Sequence, residues 1–147
     1  MTIPSKINNF QGPYRFLSNF WPCVVTLDEM IYPSVEHAYQ AAKTINVNQR
    51  ETIRNAKTPG EAKRLGRVVT LREGWNQLRI PVMRSLLRQK FRNSVLCSKL
   101  LATGSVVLIE GNTWGDRFWG VDGQNEGENH LGKLLMEIRD EIRKNLK

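Results

Sequence analysis

From Ser34 onward, apolar residues recur at helical spacing, and that pattern limits the folds open to this chain. In "YPSVEHAYQAAK" (32–43), Val35, Ala38, Tyr39 and Ala42 form one stripe. "GWNQLRIPVMRSLLRQKFRNS" (74–94) repeats the period with Val82, Leu86, Leu87 and Phe91. The final segment carries Leu131, Leu134, Leu135, Ile138, Ile142 and Leu146. Helices are predicted over 34–45, 49–56, 59–65, from about Pro81, over 94–102 and from about Asn129 onward. Thr58 is the expected N-cap of the third, with Pro59 at its first position and Gly66 closing it. Only "CVVTLDEMIYP" (23–33), a hairpin turning near Asp28-Glu29, and "SVVLIEG" (105–111) read as strands. The expectation is a mostly helical α+β fold with a small β component. With 147 residues, no internal repeat and no linker, it is read as one domain over 1–147.

Composition narrows the class. No apolar run approaches the ~18 residues of a membrane span, so no membrane partner is expected. "MTIPSKINNF" lacks the apolar core of a secretory signal. Cys23 and Cys97 are isolated, and with two His they make no metal-ligand spacing. A reduced, cytoplasmic protein needing no metal or cofactor is expected. The net charge of +8, from 22 Lys+Arg against 14 Asp+Glu, suggests an anionic partner such as a phosphate, nucleotide or nucleic acid. A merely basic, well-solvated surface is the plain alternative.

Beside the apolar stripe of 32–43, Glu36, Gln40 and Lys43 line up at i, i+4 and i+7. If Ser34 is the N-cap, a capping box needs an acid at 37, where His37 stands instead. Glu36 then serves the helix dipole at most, and Gln40 and Lys43 are needed for neither role. His37 reads as a surface or core-edge histidine.

A second constellation is "EGNTWGDRFWGVDGQNEGENHLG" (110–132). Glycines such as Gly120 let backbone approach a ligand. Trp114, Phe118 and Trp119 offer flat faces to a base or sugar. Asp116 and Asp122 are candidate carboxylates, and the segment runs into a helix N-terminus at Asn129, where N–H groups suit an anion. A glycine-rich loop whose aromatics plug the core is the alternative. In "RNAKTPGEAKRLGR" (54–67), Lys63, Arg64 and Arg67 can grip a phosphate or simply complement a helix dipole. Tyr14, Phe16 and Phe20 flank Ser18 and Asn19; aromatic turns usually fill cores, but Asn19 can also meet a ligand.

"FLSNFW" (16–21), "YPSVEHAYQAAK" (32–43), "EAKRLGR" (61–67), "GW" (74–75), "KF" (90–91), "LIEGN" (108–112), "DRFWG" (116–120) and "GENHLGKLLMEIR" (127–139) occur in that order. Together they resemble the NADAR, or YbiA-like, family from about residue 10 to 143. The resemblance implies a helix-rich α+β fold and N-glycosidase activity on a ribosyl C1′–N bond. It implies substrates of two kinds: ADP-ribose on guanine in nucleic acid, reversing a DarT-like toxin, or phosphoribosylamino intermediates of riboflavin synthesis. By motif position it carries over Glu36, Trp75 and Asp116, with Lys43 as a catalytic lysine. Where many relatives read WGDGG, this chain reads "WGVDG" (119–123), so Val121 replaces an acid and Asp116 becomes the functional acid of the loop.

Cleaving a C1′–N bond builds positive charge on the ribose while the leaving nitrogen takes a proton. Glu36 and Asp116 are the expected carboxylate pair. Lys43 allows another route, a Schiff base with the opened sugar. Asn19, Gln40, Arg67, Trp75, Trp114, Phe118, Trp119, Gly120 and Asn129 are the expected substrate-binding residues. Removal of ADP-ribose from DNA uses the positive charge most fully, and the DarT-like toxin is then a genetic partner. Hydrolysis of a ribosyl-phosphate small molecule needs only one phosphate grip. A non-enzymatic ADP-ribose or nucleic-acid binding module has no need of Glu36, Lys43 and Asp116 together.

Overall fold

The structure is a computed structural model and describes residues 4–146. It is α+β and mostly helical, as expected, and it divides into two compact units: residues 19–90, and residues up to 18 together with those from 91 on.

In the 19–90 unit, β2 (Pro22–Leu27) and β3 (Met30–Ser34) pair antiparallel, Val25 opposite Tyr32 and Leu27 opposite Met30. Asp28 and Glu29 take φ of 47° and 70°, the left-handed pair that a two-residue hairpin turn requires. Helix α1 (Val35–Ala42) follows β3 without a linker, because Ser34 ends the strand and caps the helix. All eight residues of α1 are buried, so it is the spine of this unit. Packed on it are β2, β3, α2 (Val47–Arg54), α3 (Pro59–Gly66) and α4 (Trp75–Lys90). Asn46 caps α2 through the Gln49 N–H at 2.9 Å, and Thr58 caps α3 through the Glu61 N–H at 3.1 Å.

Several boundaries differ from the sequence reading. Helix α1 ends at Ala42 rather than 45, because the Lys43 carbonyl accepts the Arg72 N–H at 2.7 Å and Asn46 is already capping α2. Helix α2 begins and ends about two residues early for the same reason. Helix α4 starts at Trp75 instead of Pro81. A positive φ at Gly74 turns the chain into it and Trp75 is buried, which fixes the first turn early. Pro81 denies the Gln77 carbonyl its helical donor, but both residues are exposed and water can supply one.

In the other unit, β1 (Lys6–Ile7) pairs parallel with β4 (Val107–Leu108), so the expected seven-residue strand is only two residues long. A 3-10 helix (Gly12–Leu17) follows β1 and buries Phe16 and Leu17. Helix α5 (Ser94–Ala102) is capped by Asn93, whose side chain accepts from both Val95 and Leu96 N–H at 3.0 Å. Helix α6 (His130–Asn145) buries Leu131, Leu134, Leu135 and Ile138; the stripe fades at Leu146, which is 72% exposed. No helix among the described residues is long and apolar enough to cross a membrane.

Candidate active site

The polar row of α1 is not at the edge of the core but inside it. Glu36 is 7% exposed and Gln40 4%, while Lys43, just past the last turn, is half-buried. The helix entrance explains how Glu36 is placed. Ser34 Oγ accepts the His37 N–H at 3.1 Å. His37 Nε2 lies 3.0 Å from the Ala56 carbonyl, which can only accept, so Nε2 carries the proton. Nδ1 is then an acceptor, and it receives the Ser34 hydroxyl at 2.7 Å. His37 is thus fully buried, not the surface or edge residue expected, and its imidazole closes the cap that an acid at 37 would otherwise serve. The Glu36 N–H donates to the Asn19 carbonyl at 3.1 Å, which ties the first turn of α1 to residue 19.

Burial, first of all, pushes the Lys43 ammonium below its ordinary range. Glu36 opposes that shift, while the nearby cations Lys63 and Arg67 add to it. The Lys43 Nζ also stands 5.8 Å from the centroid of the Tyr39 ring. Tyr39 in turn packs on Trp75 with centroids 5.4 Å apart and planes at 53°. Trp75 is only 6% exposed, so it backs Tyr39 and offers little open ring to a ligand.

Two buried amides in this unit hold an oxygen that accepts no hydrogen bond: Asn19 Oδ1 and Gln40 Oε1. The Asn19 Nδ2 donates to the Met83 sulfur at 3.6 Å. Buried polar atoms are nearly always paired, so unused acceptors beside an acid and a lysine mark a place where a ligand's donors fit. The 19–90 unit therefore brings together Asn19, Glu36, Gln40, Lys43 and Arg67, with Trp75 behind them. Lys63 joins them although the sequence singled it out only within a basic stretch; its i, i+4 relation to Arg67 was the available signal.

The remaining expected residues lie in the other unit, on the loop before α6. Asp116 Oδ1 accepts the Phe118 N–H at 3.1 Å and the Trp119 N–H at 2.9 Å. Asn112 grips Asp116 at both its N–H and its carbonyl, each at 2.9 Å. Phe118 meets Trp119 edge-on at 4.8 Å and His130 at 4.5 Å, whereas Trp114 is 58% exposed. Gly120 is buried, and a side chain there would overlap the Glu110 carbonyl. Asn129 does not cap α6: its Nδ2 donates to the Leu108 carbonyl and its Oδ1 accepts the Glu110 N–H, both at 3.0 Å. The expected anion site at this helix start is corrected too. The His130 and Leu131 N–H groups already donate to the Phe118 and Trp119 carbonyls, at 3.1 and 3.0 Å. Asp122 is spent on a turn, accepting from Gln124 and Glu126 N–H and from Arg117, so its carboxyl lies below the usual range, chiefly through those backbone bonds.

Comparison with known proteins supplies the context for these two regions. The NADAR domain family matches residues 7–143, a span that includes both. N-glycosidase YbiA of Escherichia coli is 40% identical over 134 residues, covering 88% of this chain and 82% of that protein. A riboflavin biosynthesis protein of Vibrio vulnificus is 40% identical over 132 residues, covering 88% of this chain but 36% of the longer relative. The NMR structure of E. coli YbiA superposes with a TM-score of 0.83 at 35% identity, over 99% of this chain and 89% of that one. The chain belongs to the NADAR domain family and, like the N-glycosidases in it, is a glycosidase.

Proposed function

We propose that the chain hydrolyses the C1′–N bond of a ribose linked through an exocyclic amine. The observation that carries this reading is Lys43: a half-buried amine kept below its ordinary protonation range, on one helical face with Glu36 and Gln40. About 10 Å of helix rise separates the Cα atoms of Glu36 and Lys43, which leaves space for a sugar between their side chains.

The chemistry then runs as an exchange of amines. The sugar ring opens as the C1′–O4′ bond breaks, giving an imine at C1′ and a hydroxyl at O4′. Neutral Lys43 adds its Nζ lone pair to C1′. Glu36 takes the proton that the newly bonded Nζ gives up and passes it to the departing nitrogen, the C1′–N bond breaks, and the free base leaves. Lys43 is now an iminium at C1′; water adds there and expels the amine, so one water is consumed in all. The family motif carries over Asp116 as a further carboxylate, whose part in turnover is read from Asp116→Asn.

Two substrates share this bond. The Vibrio relative's name favours a phosphoribosylamino precursor of riboflavin. The net charge of +8 favours ADP-ribose on guanine in DNA, with a DarT-like toxin as the source of the modification. Incubation with both, side by side, reads the released base or sugar and decides between them. Lys43→Ala is expected to abolish turnover at an unchanged Tm, and borohydride to trap a sugar adduct on Lys43 during turnover. Near-normal rates in Lys43→Ala without any trapped adduct would remove the covalent route.

A further inference from the structure

Helix α3 meets α1 at a bare spot. A Cβ on Gly66 would overlap the Gln40 carboxamide, so the absence of a side chain at 66 is what lets Gln40 Oε1 lie against α3. That oxygen is buried and accepts no hydrogen bond from the described residues. An acceptor left in this condition calls for a donor from outside the chain. On the same helix, Lys63 stands one turn before Arg67, the residue after Gly66, and both lie close enough to Lys43 to act on its charge. Glu36 acts on Lys43 in the opposite sense to these two cations.

A ligand that gives a hydroxyl to an amide oxygen and an anion to two cations is a sugar phosphate. We propose that Gln40, Lys63, Gly66 and Arg67 form the subsite for the 5′-phosphorylated ribose of the substrate. A ribose hydroxyl donates to Gln40 Oε1, and the phosphate lies between Lys63 and Arg67. Complementing the α3 dipole would account for basic residues in its last turn, but it requires neither a glycine under Gln40 nor an unused amide oxygen. The inference rests on the proposed ribosyl substrate for what lies beyond C1′, and it fixes the orientation: phosphate toward α3, scissile bond toward Glu36.

Calorimetric titration with ribose 5-phosphate, ADP-ribose and inorganic phosphate tests it. Lys63→Gln/Arg67→Gln is expected to weaken ribose 5-phosphate or ADP-ribose at least tenfold, and the tighter of the two names the source of the phosphate. Gln40→Leu is expected to weaken the sugar phosphate several-fold while leaving inorganic phosphate unchanged. The control Lys57→Gln/Lys133→Gln, on exposed residues outside the subsite, is expected to change affinity less than twofold. If the double variant loses its Tm, the exposed Arg67→Gln alone carries the test. Equal affinity in wild type and variant, an equal loss in the control pair, or no binding of either sugar phosphate to the wild type overturns the subsite. A chain that binds ribose 5-phosphate through these residues yet releases no base from any N-ribosyl substrate keeps the subsite and overturns the reading of the cleaved bond.

Discussion

The α1 row and the Asp116 loop are both rich in polar side chains and dispose of them in opposite ways. On and beside the row, two buried amide oxygens have no donor among the described residues, and burial lowers a lysine ammonium from its ordinary range. On the loop, Asp116, Asn112, Asp122 and Asn129 are spent on backbone groups of the loop and its neighbours. A helix satisfies its own backbone, so its side chains are released for a ligand. The 21-residue connection between β4 and α6 (109–129), rich in glycine, has no such ladder and must borrow side chains to hold its shape.

The sharpest way to break this contrast is to remove charge without removing shape. Glu36→Gln is expected to lower kcat by ~10²–10⁴-fold, the range of general acid–base help, with Tm unchanged. Asp116→Asn keeps an oxygen for the Phe118 and Trp119 N–H groups and removes only the negative charge. It is expected to lower kcat by about 10²-fold, again at unchanged Tm. Wild-type rates in either variant, measured under saturating substrate, would take that carboxylate out of the mechanism.

A second contrast lies within the 19–90 unit, between half-buried Lys43 and Lys90, whose side chain is fully buried. Burial brings the Lys90 ammonium down to about 7, against a weaker upward pull from Cys23. The unfolded chain holds this proton up to about pH 10.5, so between pH 7 and 10.5 it binds more protons than the folded one. Stability therefore rises with pH across that window and sits at its floor below pH 7. The Cys23 thiol, raised mainly by burial, works the other way only above its unfolded value of 9.0. Urea unfolding between pH 7 and 8.5 is expected to show a rise of about 1–2 kcal/mol that Lys90→Met flattens. An unchanged slope in the variant would assign it elsewhere, with Lys43 next in line.

What the sequence made legible follows the same division. Period and caps located α1, α3 and the hairpin turn, because Ser34, Thr58 and Asp28-Glu29 act through neighbours a few residues away. Pro81 misplaced the start of α4 because proline's local preference is overridden by the burial of Trp75, a tertiary effect. The Glu36–Gln40–Lys43 row was visible from spacing alone. Its burial was not, nor was the reason Gly66 must be glycine, since both depend on α3 lying against α1. The loop was visible as glycine and aromatics, but composition could not distinguish Asn129 as a clamp on Leu108 and Glu110 from Asn129 as a ligand contact.

The smallest expected effect sharpens the loop side of the comparison. Asp116→Ala removes the acceptor as well as the charge, and leaves the Phe118 and Trp119 N–H groups to find water. Losing a turn-capping acceptor of this kind costs about 0.5–2 kcal/mol. On the α1 row, by contrast, the N-cap acceptor is Ser34, a different residue from the acid. Asp116→Ala is therefore expected to lower Tm by a few degrees while Asp116→Asn does not, with both variants losing the same turnover. If Ala and Asn match in Tm, the two N–H bonds contribute nothing to the fold. Asp116 would then belong with the α1 residues as a side chain the chain keeps for its ligand.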